Sequence, residues 1–359
     1  MTSIRARDLG IRIGRGLPGA GNAITDVTGV RVGHRTVVRG DDGAHDAVRT
    51  GITVVFPHAG MPWEAPVYAA THILNGYGEL IGVNSIREWG ILESPIVLTS
   101  SPLIGKAYDA TVHWIADHDP KAGEKVMPCV TECDDSSLNA VLATPIADAD
   151  VWTALDAATS GPVAEGAVGS GTGMQCFDFK GGIGTSSRVT GSGHTVGALV
   201  MTNHGDRPDL LVDGVRIGEA FDDRLMSSEH REGSCIVVLA TDAPLLPHQL
   251  RRLAERGGLG LARGGSHASN GSGEQCIALS TANLLPTDAD VFAPQALVDG
   301  RRAITPLFQA AVEATEEAVV NALVAAETVV GRDGNTLFAV PHAELQELLR
   351  AAGRITVTP

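Results

Sequence analysis

Short apolar runs alternate with glycine-rich turns along this chain, and the spacing of the apolar positions changes as it proceeds. Ile11-Arg-Ile13, Val27 to Val32 and Gly51-Ile-Thr-Val-Val-Phe56 are brief and β-branched, which predicts strands and turns through residues 10–58. From Val67 to Tyr77 the spacing predicts a helix, with a loop at Asn75-Gly-Tyr-Gly78. Pro95 to Thr99 reads as a strand, and Lys106 to His118 carries Ala107, Ala110 and Ile115 at helical intervals. Met127 to Asn139 reads as an irregular polar loop in which Glu132, Asp134 and Asp135 are solvated. A helix follows from about Ala149 to Ala158.

Thr195 to Met201 predicts a strand that delivers Asn203 at its end. Cys235 to Ala240 is an uninterrupted apolar run, the pattern of a strand covered on both faces. Pro247 to Ala262 places Leu250, Leu253 and Ala254 on one helical face, and Cys276 to Ser280 is strand-like. A long helix is expected from Thr305 as N-cap, with Pro306 in its first turn and Phe308, Val312, Val319 and Leu323 on its apolar face. Glu313, Glu316 and Glu317 then point to solvent. A last helix, Pro341 to Ala352, stops at Gly353.

Composition narrows the function. The 27 Lys and Arg against 42 Asp and Glu give a net charge of −15 over 359 residues, which argues against nucleic-acid or anionic-membrane partners. No segment is long and apolar enough to span a bilayer, and the opening residues lack a signal-peptide pattern, so a cytoplasmic protein is expected. Its five scattered cysteines form no C-x-x-C pair and are expected to be reduced. His113 and His118 are five apart and share no helix face, so neither a metal nor a cofactor is implied. The glycines at 169, 171 and 173 fit no nucleotide-binding spacing and read as turns.

The candidate chemistry lies at strand ends. Gly233-Ser234 precedes one strand, Gly271-Ser-Gly-Glu274 precedes another, and Asn203 closes a third. As plain structure, Gly233 makes a turn, Ser234 and Ser272 satisfy backbone groups, Glu274 is a surface carboxylate and Asn203 a cap. As chemistry, a hydroxyl nucleophile needs a base and an oxyanion donor, and no G-x-S-x-G elbow supplies a Ser-His-Asp set here. A freed α-amino group on Ser234 would serve as base, because its pKa of ~7.7–8 lies close to neutrality.

Seven strings, in order, carry a resemblance to a known family. They are Asn22-Ala-Ile-Thr-Asp-Val-Thr-Gly-Val-Arg-Val-Gly33, Arg49-Thr-Gly-Ile-Thr53, Gly161-Pro-Val-Ala-Glu-Gly166, Gly181-Gly-Ile-Gly-Thr-Ser-Ser-Arg188, Ala240-Thr-Asp-Ala-Pro244, Asn270-Gly-Ser-Gly-Glu274 and Ser280-Thr-Ala-Asn283. Together they resemble the L-aminopeptidase D-amidase/D-esterase group, which includes the β-peptidyl aminopeptidases. The resemblance implies an α/β/β/α sandwich like that of N-terminal-nucleophile hydrolases, with its own connectivity, formed as a single self-processing domain over 1–359. It implies self-cleavage between Gly233 and Ser234 into chains 1–233 and 234–359, which stay together and assemble as a tetramer of cleaved pairs. Ser234 becomes the nucleophile, Asn203 the oxyanion amide, and Ser272 with Glu274 the supporting pair. Glu132 matches the carboxylate that holds the ammonium of a small peptide or aminoacyl substrate.

The chain departs from that family in the loop after Glu132. The family pattern resembles G-E-C-N-D-G-Y-L-N-D, whereas this chain reads Thr131-Glu-Cys-Asp-Asp-Ser-Ser-Leu-Asn-Ala140. Ser137 stands where a tyrosine is common, and Asp134 where an asparagine is. Loss of one oxyanion donor costs ~10²–10³ in rate, and Asp134 adds a carboxylate toward a cationic amine. Two other readings stay open at this point: an acyltransferase like the self-cleaving ornithine acetyltransferases, and a non-catalytic member of the same fold.

Overall fold

The computed structural model describes residues 3–143, 146–221, 225–227, 233–300 and 302–355. Two sheets face one another. The first runs in the order Arg31–Arg39, Val48–Phe56, Ile96–Ser100, Cys129–Cys133, Leu80–Ile81. The second runs Ile183–Val189, Thr195–Asn203, Ser234–Thr241, Gly273–Leu284, Val67–Gly76, Ile91–Leu92.

Strand alternation sorts the apolar side chains into three cores, and these separate four layers. Val54, Val97 and Val130 face Ala107, Ala110 and Leu155 of the helices Ile104–His118 and Asp148–Asp156. Val55, Leu98 and Cys133 meet Leu199, Ile236 and Ile277 between the sheets. Val200, Val237 and Cys276 pack beneath Leu253, Ala314 and Ala318 of the helices Pro247–Arg263 and Thr305–Val324. The result is the expected α/β/β/α sandwich. Close helix–sheet approach depends on Gly184, where a Cβ would lie 1.9 Å from the Ala318 carbonyl oxygen.

One strand organises the site. All of Ser234–Thr241 is buried, as its apolar run requires. It pairs antiparallel with Thr195–Asn203, setting Asn203 opposite Ser234, and parallel with Gly273–Leu284, setting Gly273 on its other side.

Several expectations are corrected. Val67 to Tyr77 is not a helix: Val67–Gly76 is a strand zipped antiparallel to Gly273–Leu284, and β-branched Val67, Thr71 and Ile73 suit that pairing. The polar loop expected at Met127 begins instead with the buried strand Cys129–Cys133, and Glu132 and Asp135 are buried rather than solvated. Glu313, Glu316 and Glu317 are also buried, because the helix Thr305–Val324 is enclosed on nearly every side and its acids meet arginines. Thr305 lies inside that helix, whose N-cap is Ile304. Ile11 and Ile13 are buried but form no strand. The turn residues His230, Arg231 and Glu232 lie outside the described residues. Among the described residues no helix is long and apolar enough to cross a membrane, and the five cysteines are buried and free.

Candidate active site

Three strand ends converge. Ser234 begins its strand almost fully buried, and its Oγ accepts a hydrogen bond from the Gly273 N–H at 3.2 Å. The plain and the chemical readings of this serine therefore coexist: the hydroxyl satisfies a backbone donor, while its own proton remains free for transfer.

Gly233 lies against Asn203. A Cβ on Gly233 would sit 1.5 Å from the Asn203 carbonyl oxygen and 3.2 Å from its Nδ2. The side-chain amide of Asn203 is thus beside the residue that carries the Gly233–Ser234 peptide carbonyl. That amide is held at both ends: Oδ1 accepts from the Gln175 N–H at 3.1 Å, and Nδ2 donates to the Asp134 carbonyl at 2.8 Å. An amide NH₂ has two hydrogens, so one remains for a developing oxyanion.

Ser272 and Glu274 flank Gly273 in sequence. The Ser272 hydroxyl donates to Glu274 Oε1, and among the described residues Oε2 makes no hydrogen bond, with Asn75 opposite Glu274 on the neighbouring strand. Burial pushes the Glu274 carboxyl up, partly offset by the Ser272 bond. Far from a surface carboxylate, it is fully enclosed. Because side chains alternate, Glu274 leaves its strand on the face opposite the Ser234 hydroxyl, and it sorts with Cys235 rather than with Ser234. This pair is suited to the main-chain nitrogen of Ser234 more than to its oxygen.

Glu132 approaches from the facing sheet. It accepts from the Glu79 N–H at 2.8 Å and from the Ser101 hydroxyl. Burial raises its pKa, and those two donors oppose the rise. Gly78 lies between it and Gly273, the register partner of Ser234: a Cβ there would lie 3.1 Å from Glu132 Oε1 and 3.8 Å from the Gly273 Cα. Asp134 enters through its carbonyl on Asn203, while its carboxylate accepts from the Ser136 N–H and hydroxyl, both at 2.9 Å. Ser137 is buried and its carbonyl accepts from Asn335 Nδ2 at 2.8 Å. Among the described residues, no hydrogen bond joins the Ser137 hydroxyl to Ser234 or Asn203.

No described histidine offers a base. His204, next to Asn203, is sealed against Phe177, and burial drives its pKa down to about 4. Among the described residues no cluster of His, Cys, Asp and Glu could hold a metal, and His118 is spent on the Trp114 carbonyl. Sequence reasoning missed Ser101 and Gln175, which orient Glu132 and Asn203. Neither has a local signature, because each acts on a neighbouring segment distant in sequence.

Comparison with known proteins agrees with this geometry. The description of peptidase family S58 matches residues 22–337. A β-peptidyl aminopeptidase, BapA, of Sphingosinicella microcystinivorans is 41% identical over 373 aligned positions, covering 98% of this chain and 93% of that protein. Among solved structures, a β-aminopeptidase of Burkholderia sp. superposes with a TM-score of 0.90 at 43% identity, over 98% of this chain and 99% of that one. The L-aminopeptidase D-Ala-esterase/amidase of Ochrobactrum anthropi, described as a prototype of the serine aminopeptidases and a variant of the Ntn-hydrolase fold, gives 0.91 at 41% identity, with 98% and 99% coverage. Fold and site define a serine hydrolase of the N-terminal-nucleophile kind. The chain belongs to peptidase family S58, and its activity is that of an aminopeptidase.

Proposed function

We propose that this chain cuts itself between Gly233 and Ser234 and that Ser234 then serves as the N-terminal nucleophile of chain 234–359. The observation that carries this reading is the meeting of Ser234, Gly233 and the Asn203 amide at adjoining strand ends. In the precursor, Ser234 Oγ attacks the Gly233 carbonyl carbon. The C–N bond breaks, the nitrogen takes the hydroxyl proton, and an ester links the two residues. Water opens the ester, leaving a Gly233 carboxylate and a serine with both hydroxyl and free amine.

In the mature enzyme that amine accepts the hydroxyl proton as Oγ attacks the carbonyl after a substrate's first residue. The remaining Asn203 N–H steadies the oxyanion, the proton passes to the leaving amine, and water releases the acyl group. Glu274, with Ser272 on Oε1 and Oε2 open, receives and orients the Ser234 amine. Glu132 holds the substrate's ammonium, and Asp134 adds negative charge at the same end. These roles favour short peptides, aminoacyl amides or esters with a free amine. The names of the relatives add residues with a β-amino group to the candidates, and Ser137 in place of a tyrosine shapes their selection. Paired chains assembling as a homotetramer complete the reading, in the cytoplasm, with which the free, buried cysteines are consistent.

A denaturing gel and a panel of aminoacyl p-nitroanilides with α-L, α-D and β residues test it. The wild type is expected as two fragments that hydrolyse at least one member, and Ser234→Ala as one inactive chain. Acetyl-ornithine with glutamate should yield no acyl transfer. Two fragments and undiminished hydrolysis from Ser234→Ala would sink the proposal.

A further inference from the structure

Lys180 has no role in the chemistry above, yet it is completely buried and touches no carboxylate within ion-pair distance among the described residues. Its Nζ donates to three main-chain carbonyls, those of Gly171 at 3.0 Å, Met174 at 2.6 Å and Gly181 at 2.7 Å. An ammonium has three hydrogens, so this cage uses each of them. Burial pulls the amine's pKa down to about 7, and the nearby Cys176 and Asp135 oppose that fall. A lysine kept at such a cost for turn-making alone is unexpected, because a backbone turn can be closed by glycine and a hydroxyl.

The geometry of one peptide unit gives it a purpose. The Met174 carbonyl that accepts the shortest Lys180 bond belongs to the same peptide group as the Gln175 N–H. That N–H donates to Asn203 Oδ1 at 3.1 Å. Gln175 is also the register partner of Lys180 in a two-residue hairpin. A cation on the carbonyl end of a peptide polarises its N–H end, and linked hydrogen bonds strengthen one another. The relay therefore runs from Nζ through the Met174–Gln175 peptide to the Asn203 amide, and out through Nδ2.

We infer that Lys180 is a positioning residue for the oxyanion donor, holding and polarising the Asn203 amide through the Met174–Gln175 peptide. This rests on the reading of Asn203 as that donor. Asp135 backs the loop on the other side of the same amide: its neighbour Asp134 accepts from Nδ2, and its own Oδ1 is anchored by Ser100 at 2.6 Å and Asn139 at 3.0 Å. Asn203 is thus clamped between two loops, each with a buried titratable side chain behind it.

A double-mutant cycle tests this on the full chain, using Lys180→Met, Asn203→Ala and the pair, with kcat and KM normalised to the amount of cut chain. Lys180→Met is expected to lower kcat on the order of 10-fold, as for loss of a charge-assisted hydrogen bond, with KM little changed. In the Asn203→Ala background the same substitution should cost almost nothing further. Where a variant remains uncut, the cycle is read on the rate of self-cleavage instead. If Lys180→Met does not fold, Lys180→Gln, which keeps two donors, takes its place and should show a smaller loss of the same kind. Equal losses with and without Asn203, or a lower melting temperature with unchanged kcat per cut chain, would overturn the inference. An Asn203→Ala enzyme with full kcat would instead overturn the reading of Asn203 on which it depends.

Discussion

Ser234 has two features around it that a residue list does not reveal: an Oγ that already accepts from Gly273, and a neighbouring Asn203 amide nitrogen beside Gly233. Removing that amide isolates its contribution. Asn203→Ala is expected to reduce kcat by ~10²–10³ while KM changes little, measured by steady-state hydrolysis of an aminoacyl anilide. The role proposed for Glu132 is of a different kind, on binding. Its burial raises the pKa above that of an ordinary glutamate, so the carboxylate needed for an ammonium is lost at a higher pH than in a free side chain. Inhibition by a product amino acid should therefore weaken as pH falls through that raised value. Glu132→Gln should bind it roughly 10- to 100-fold less tightly, with no such pH dependence, as read by Ki across an acidic series. Ser234, Asn203, Ser272 and Glu274 could be named from motif resemblance, but composition alone made Glu274 and Glu132 surface acids. Burial of a carboxylate is set by segments distant in sequence that pack over it, and no local pattern records that.

Elements were legible where both faces of a strand or one face of a helix set the pattern. Ser234–Thr241, Ile96–Ser100 and Pro247–Arg263 follow directly from their apolar runs. Val67–Gly76 did not, because its buried and half-buried positions do not alternate cleanly, and its pairing with Gly273–Leu284 overrides the local spacing. Cys129–Cys133 was hidden by the acidic residues after it, since a five-residue strand bearing Thr131 and Glu132 looks polar without its partner strands. The junction between elements carries its own prediction. The end of Thr195–Asn203 leaves no room for a side chain at Gly233. Gly233→Ala must push that strand end aside, and a displacement of about 1 Å can cost ~10²-fold. A gel time course on freshly expressed protein should show the uncut chain persisting far longer than in the wild type, while Gly191→Ala, in open space, should mature normally.

Across the whole molecule, buried ion pairs tie the amino-terminal segment to the outer helix. Glu317 of Thr305–Val324 accepts from Arg7 at 2.7 Å, Arg188 at 2.6 Å and Asn22 at 2.5 Å. Burial alone would raise its carboxyl, but the Arg7 bond and the charges of Arg188 and Arg7 outweigh it and hold the pKa below the ordinary glutamate value. A folded pKa below the unfolded one adds stability that is present above the unfolded value and lost as pH falls through the folded one. Glu317→Gln should cost about 3–5 kcal/mol in chemical denaturation at neutral pH, and the mutant's stability should fall less steeply than the wild type's below pH ~4.3. The network was invisible in sequence because its members are separated by most of the chain, and helical spacing placed Glu317 in water. The four layers were legible only through resemblance, since three cores built from interleaved segments leave no signature in any one of them. All of this architecture serves to bring one peptide bond into register with an amide and a hydroxyl. The amino-terminal sequence and intact mass of each chain in the purified wild-type enzyme test that claim most directly. The account predicts two chains, one ending at Gly233 and the other beginning with Ser234. An active enzyme with that bond intact, or cut at any other position, would contradict it.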